Sequence, residues 1–248
     1  MDKKPSEHRS GLQQPRITRG TVFAQAVLGL ILHLLLAVPF LRRTHGLARL
    51  CPSQRHLLVI NHISLLDTLL IASLCWRTRC YPILVLGDKN IWHASWVRRV
   101  LSRRTAFLLD RGKLNPHRIE ELQAFGRAGC DFQLIVFPEG TRGDGVNVAT
   151  CQPGIYFIAQ AARIPIVPVF IENMQLISTK TGRFHFFRGW RKVEVHFGAP
   201  VAPETYLPMP REEFLAFVRR SIAAARTGER VVVKSDQIES QAGEASKL

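Results

Sequence analysis

Residues Leu57 to Leu70 read LLVINHISLLDTLL, an apolar stretch broken by Asn61, His62 and Asp67. Leu57 to Asn61 has the length and β-branched content of a buried strand, while Leu65 to Trp76 is long enough for a helix. The unit therefore reads as strand, turn, helix, with His62 in the turn. Histidine has the side chain whose ordinary pKa lies nearest neutrality, so with a carboxylate to orient it, it can serve as a general base.

Outward from this stretch the same alternation continues, which points to an α/β domain. Further strands are expected at Tyr81 to Leu86, Thr105 to Asp110, Phe132 to Phe137, Ile164 to Ile171 and Lys192 to Phe197. Helices are expected at Asn90 to Leu101, Pro116 to Ala128, Gly154 to Ala162 and Arg211 to Ala225. In the last, Phe214, Phe217, Val218 and Ile222 recur at helical spacing and give it one apolar face. A mixed, largely parallel sheet flanked by helices is the expected fold.

Ahead of the domain, Thr21 to Leu41 contains no formally charged residue and is about as long as a membrane-spanning helix needs to be. Arginines flank it on both sides (Arg16, Arg19; Arg42, Arg43, Arg49), so charge bias sets no orientation. A span and a helix or hairpin inserted from the cytoplasmic side both fit, with a buried core helix and a signal peptide as further readings. The expected organisation is a disordered basic segment over 1–20, a membrane-associated helical segment over 21–50, the domain over 51–225, and a flexible tail over 226–248.

A formal net charge of +15 over 248 residues calls for an anionic partner: nucleic acid, anionic lipid or a phosphorylated substrate. Two clusters mix cations with aromatic rings, one from Trp92 to Arg104 and one from Arg183 to Lys192, as suits a lipid headgroup interface. The five cysteines include no C-x-x-C pair and read as reduced thiols, and no structural metal is expected.

Five residues separate His62 from Asp67, which on one continuous helix would set them about 140° apart. With His62 in the turn they can meet. Spacing alone is equally served by a capping box, in which Ser64 and Asp67 bond the first backbone donors of the helix. A second constellation, Phe137-Pro138-Glu139-Gly140-Thr141-Arg142, follows a strand, and its glycine turn and planar guanidinium suit an anion. A Glu139–Arg142 ion pair holding the turn is the structural alternative.

Together the two stretches resemble the glycerolipid acyltransferase family that contains 1-acylglycerol-3-phosphate acyltransferases. Asn61-His62-Ile-Ser-Leu-Leu-Asp67 matches its NHxxxxD block and Phe137 to Arg142 its FPEGTR block, with weaker blocks at Phe107 to Arg111 and Ile164 to Ile171. The resemblance implies that His62 is the general base and Asp67 its orienting carboxylate. It implies that Arg111, Glu139, Gly140, Thr141 and Arg142 bind the acceptor's glycerol phosphate.

The implied reaction moves a fatty acyl group from acyl-CoA or an acyl carrier protein to the free hydroxyl of 1-acylglycerol-3-phosphate, giving phosphatidic acid without a further cofactor. The implied location is the cytoplasmic face of the inner or plasma membrane. Where many relatives carry Phe-Lys-x-Gly, this chain has Cys151-Gln152-Pro153-Gly154, and Asp144 adds a negative charge beside Arg142. Another lysolipid acceptor, such as a lyso-ornithine lipid, is the nearest rival. A basic nucleic-acid or membrane-binding module without activity is the other, though the ordered blocks argue against nucleic acid as a partner.

Overall fold

The computed structural model describes residues 18–229 except 94, 95, 97, 98, 100, 101, 103, 104, 110–119, 121, 125–130, 180 and 182. Helix α1 (Arg19–Leu32) runs on through a π-helical turn, His33–Ala37, to Val38–Phe40. Then follow β1 (Leu41–His45), β2 (His56–Ile60), α2 (Leu66–Thr78), β3 (Ile83–Asp88), α3 (Lys89–His93), β4 (Ala106–Leu109) and β5 (Gln133–Val136). The chain continues through α4 (Gly154–Ala162), β6 (Ile166–Glu172), α5 (Phe186–Gly189), β7 (Val193–Phe197), α6 (Pro203–Tyr206) and α7 (Arg211–Thr227).

The strands form one seven-stranded sheet in the order β1-β7-β6-β2-β5-β3-β4, parallel except where β6 meets β7. Central strands buried on both sides need apolar residues at every position. All five residues of β2 are buried, and the register explains which way each turns. Leu57, Val59, Leu134 and Val136 pack with α4 and α7 on one face; Leu58, Ile60, Ile135 and Val167 pack with α2 on the other.

The expected fold is therefore present, and its inner strands and the helices α2, α4 and α7 lie within a few residues of where periodicity placed them. The helix expected over Asn90 to Leu101 is described only as Lys89–His93, most of the remainder lying outside the described residues. One strand was not expected. β1, with Arg42 and Arg43 in its middle, lies at the sheet edge against β7, so it never needed the apolar pattern by which strands are read. The expected helix over Pro116 to Ala128 lies largely outside the described residues. Cys51, Cys75, Cys80 and Cys151 are free thiols.

Arg19–Phe40 is long and apolar enough to cross a membrane. Thr21, Gln25, Gly29 and Leu32, spaced by one helical turn, are buried, whereas Phe23, Ile31, Leu34, Leu35 and Val38 on the other faces stand exposed. Two devices dock the buried face. The Gln25 amide bonds both backbone groups of Ile83, accepting from its N–H (2.8 Å) and donating to its carbonyl (3.0 Å). Gly29 lets α2 approach, since a Cβ there would lie 2.7 Å from Trp76 Cβ and Tyr81 Oη.

Two outcomes are expected. Gln25→Leu leaves the Ile83 N–H and carbonyl buried without partners and lowers stability by about 2–4 kcal/mol, read from thermal unfolding in detergent. His56 is fully buried with Nδ1 on Gln133 Oε1 (3.0 Å), and burial lowers its pKa from 6.5 despite that bond. The folded state then resists a proton that the unfolded chain accepts, so stability is present above pH 6.5 and is lost as pH falls below it. His56→Gln flattens that part of the unfolding-temperature profile.

Candidate active site

Parallel pairing of β2 with β5, with Val59 opposite Val136, brings the carboxyl ends of both strands together. The chain leaves β2 toward α2 on one face, whereas the helix after β5, α4, packs on the other. Between diverging connections of this kind a crevice opens at the strand ends. The loop carrying His62 and the loop carrying Glu139 to Arg142 both lie there.

Asn61 extends the ladder where β2 stops: its amide accepts from the Ile171 N–H (2.7 Å) and donates to the Ile171 carbonyl (2.9 Å). The turn that follows is gathered by one oxygen. Asp67 Oδ2 accepts from His62 Nδ1 (3.0 Å), from the Ile63 N–H (2.6 Å) and from the Ser64 N–H (2.8 Å), while Ser64 Oγ accepts from the Leu66 N–H (3.0 Å). The capping box and the His–Asp pair are thus the same structure.

Asp67 is wholly buried and its carboxylate only accepts, so the proton of a neutral His62 belongs on Nδ1. Nε2 is left with a lone pair. The ring lies against Phe137, 4.3 Å between centroids, and the side chain keeps 17% exposure, enough for a substrate to reach it.

The second loop is tied to the first through its backbone. Glu139 Oε1 accepts from the His62 N–H (2.9 Å), Oε2 accepts from the Ala149 N–H (3.2 Å), and the Gly143 N–H donates to the His62 carbonyl (2.6 Å). Glu139 is only 2% exposed, and burial raises its pKa although the His62 and Ala149 N–H groups pull it back. Both oxygens of Glu139, which the sequence places at the acceptor site, are engaged by backbone donors inside the protein. Nor does an ion pair join it to Arg142.

Gly140 has φ +67° and Gln152 packs beneath it, so its glycine serves the backbone conformation as well as the approach of an anion. Thr141 is exposed, and Arg142 is half-buried with no ion pair to any described residue. Asp144 accepts from the Val146 and Asn147 N–H groups (2.8 and 2.9 Å), so its charge is engaged in its own turn. Arg111 lies outside the described residues.

A family model described as Acyltransferase matches residues 41–172, more than half of the sequence. The chain belongs to the acyltransferase family. It is 27% identical over 179 residues to a probable 1-acyl-sn-glycerol-3-phosphate acyltransferase of Mycoplasma pneumoniae, covering 69% of this chain and 66% of that protein. It is 30% identical over 149 residues to human 1-acyl-sn-glycerol-3-phosphate acyltransferase alpha, covering 58% and 50%. It thus spans about half to two thirds of the length of these relatives. The crystal structure of the 1-acyl-sn-glycerophosphate (LPA) acyltransferase PlsC from Thermotoga maritima superposes with a TM-score of 0.61 at 21% identity, over 86% of this chain and 81% of that one. That likeness is one of fold.

Reading the acyltransferase's sequence alone missed Gly143 and Ala149, which act only through backbone N–H groups, and the scaffold role of Asn61. If Glu139 positions His62 instead of holding substrate, Glu139→Gln lowers kcat by at least about tenfold with little change in acceptor KM. Steady-state kinetics in mixed micelles check this; a raised KM at unchanged kcat would return Glu139 to the substrate.

Proposed function

We propose that the protein transfers a fatty acyl group from an acyl thioester to the free hydroxyl of 1-acylglycerol-3-phosphate, giving phosphatidic acid. The observation that carries the reading is the Nδ1 contact of His62 on Asp67, which leaves Nε2 as a base beside the FPEGTR loop. Nε2 takes the hydroxyl proton as the oxygen bonds to the thioester carbon. The tetrahedral intermediate then expels the thiolate, and the imidazolium returns the proton to sulfur. Asp67 stabilises the imidazolium through Nδ1–H. A thiol of pKa about 8.5 leaves readily, so no enzyme nucleophile is required.

Arg142, Thr141 and the exposed Gly140 backbone are the groups we assign to the acceptor phosphate. No cofactor enters the scheme; the thioester of acyl-CoA or of an acyl carrier protein is the co-substrate. Gln152 replaces the lysine of many relatives and bonds the Glu139 carbonyl instead (3.5 Å), so one cation is absent from the acceptor side. That substitution favours testing a lyso-ornithine lipid as the second acceptor.

Membrane association is supported by the exposed apolar faces of Arg19–Phe40 and by a neighbouring aromatic hairpin. Phe40 packs edge-on to Phe184 and Phe186, and Arg191 bonds the Val38 and Pro39 carbonyls. Phe187, 87% exposed, and Trp190 then project beside Arg188 and Lys192. Because α1 docks along α2 over its length, we read it as lying in the cytoplasmic leaflet with the domain against anionic headgroups.

His62→Ala is expected to lower acyl transfer by about 10²–10⁴-fold with unfolding unchanged, measured by mass spectrometry of lipids formed from a panel of lysolipids. Near-wild-type turnover would defeat the mechanism. Equal use of acceptors with and without phosphate would defeat the assigned acceptor.

A further inference from the structure

At the far edge of the sheet, on the face that α7 covers, three strands bring together side chains that the acyl-transfer reaction does not use. The registers are His45 opposite His196, and Glu172 opposite Glu194. Glu194 and His196 are two apart on β7 and so share a face. His45 Nε2 lies 3.1 Å from Glu194 Oε2; His196 Nε2 lies 4.0 Å from that same oxygen and 3.6 Å from Glu172 Oε2. The imidazoles are stacked, 4.4 Å between centroids at 5°.

His196 is the informative member. Its side chain is nine-tenths buried, yet Nε2 has no hydrogen-bond partner. A buried nitrogen of this kind calls for an explanation. Its two carboxylate neighbours stand too far off for good hydrogen bonds. Glu172 Oε2, at 3.6 Å, and Glu194 Oε2, at 4.0 Å, stand somewhat outside the separation of two ligands sharing a four-coordinate cation. That separation is about 3.3–3.4 Å for metal–ligand distances of about 2.0–2.1 Å, and an ion would draw the oxygens in.

The two carboxylates are presented in matching fashion. Glu172 Oε1 is held by Arg226 (2.6 Å) and Glu194 Oε1 lies near Arg42 (3.4 Å), and in each case Oε2 turns toward the imidazoles. Outer partners that hold one carboxylate oxygen and free the other are the usual surroundings of a metal ligand. Ligand atoms of His45, Glu194 and His196 all lie within 4.8 Å of one another, and Glu172 adjoins them through His196.

We propose that His45, His196, Glu194 and Glu172 bind one divalent cation of the zinc class, which pins edge strand β1 to β7 and β6. Two imidazoles and two carboxylates suit zinc, whereas magnesium and calcium take oxygen ligands. β1 follows directly on the apolar helix, so the ion sits where pull on the membrane segment would first reach the sheet. The cluster leaves no signature in the sequence, because residues 45, 172 and the pair 194 and 196 have no common spacing.

The test uses full-length protein in detergent, free of any histidine tag, stripped with chelator, reloaded with zinc sulfate and washed. Plasma mass spectrometry is expected to find about one zinc per chain, and cobalt(II) in its place is expected to give the visible absorption of a four-coordinate ion. Zinc should raise the unfolding temperature of the wild type. His45→Gln, at a half-exposed position that tolerates exchange, and Glu194→Gln should each weaken zinc binding at least about tenfold and remove that rise. His62→Ala should retain both. Binding below a tenth of an equivalent, wild-type affinity in His45→Gln and Glu194→Gln, or loss of zinc in His62→Ala would each overturn the proposal.

Discussion

Three hydrogen bonds converge on Asp67 Oδ2, and the rest of the site depends on them. Two come from the backbone of a turn that could otherwise relax, and the third from the ring of His62. The energy that starts α2 is therefore the same energy that fixes the imidazole tautomer. A carboxylate buried in this way is costly unless its donors are charged or numerous; here three donors meet Oδ2, while Oδ1 is buried with no partner.

Glu139 performs the corresponding task one strand away. Its carboxylate joins the loop after β5 to the His62 N–H, and the Gly143 N–H returns a bond to the His62 carbonyl. His62 is thus held at ring, N–H and carbonyl by three different residues. The parallel pairing of β2 with β5 makes this possible, because only parallel neighbours deliver successive loops to the same end of a sheet. Arg142, free of ion pairs to the described residues, remains as the cation of that loop available to an anion.

Much of this was legible in the residues. Runs such as Leu57 to Asn61 and Phe132 to Phe137 are apolar because both faces of a parallel strand are covered, and α7 shows its one dry face. β1 was not legible, since an edge strand that follows directly on an apolar helix and carries two arginines resembles a membrane flank. The His62–Asp67 pairing could be drawn from the sequence as one of two alternatives, and the geometry shows that they coexist. The tie from Glu139 to the His62 loop was not legible because its partners are backbone donors, which leave no mark in side-chain identity; the same blindness hid Gly143 and Asn61.

Neutral His62 carries its proton on Nδ1, against Asp67, and offers Nε2 as a bare lone pair. Nitrogen-15 NMR of imidazole-labelled protein in micelles, with the His62 signals assigned by their loss in His62→Ala, reads this directly. The account predicts a protonated Nδ1 and an unprotonated Nε2, with the pattern disturbed in Asp67→Asn. A His62 that carries its proton on Nε2, or whose tautomer is indifferent to Asp67, would contradict it.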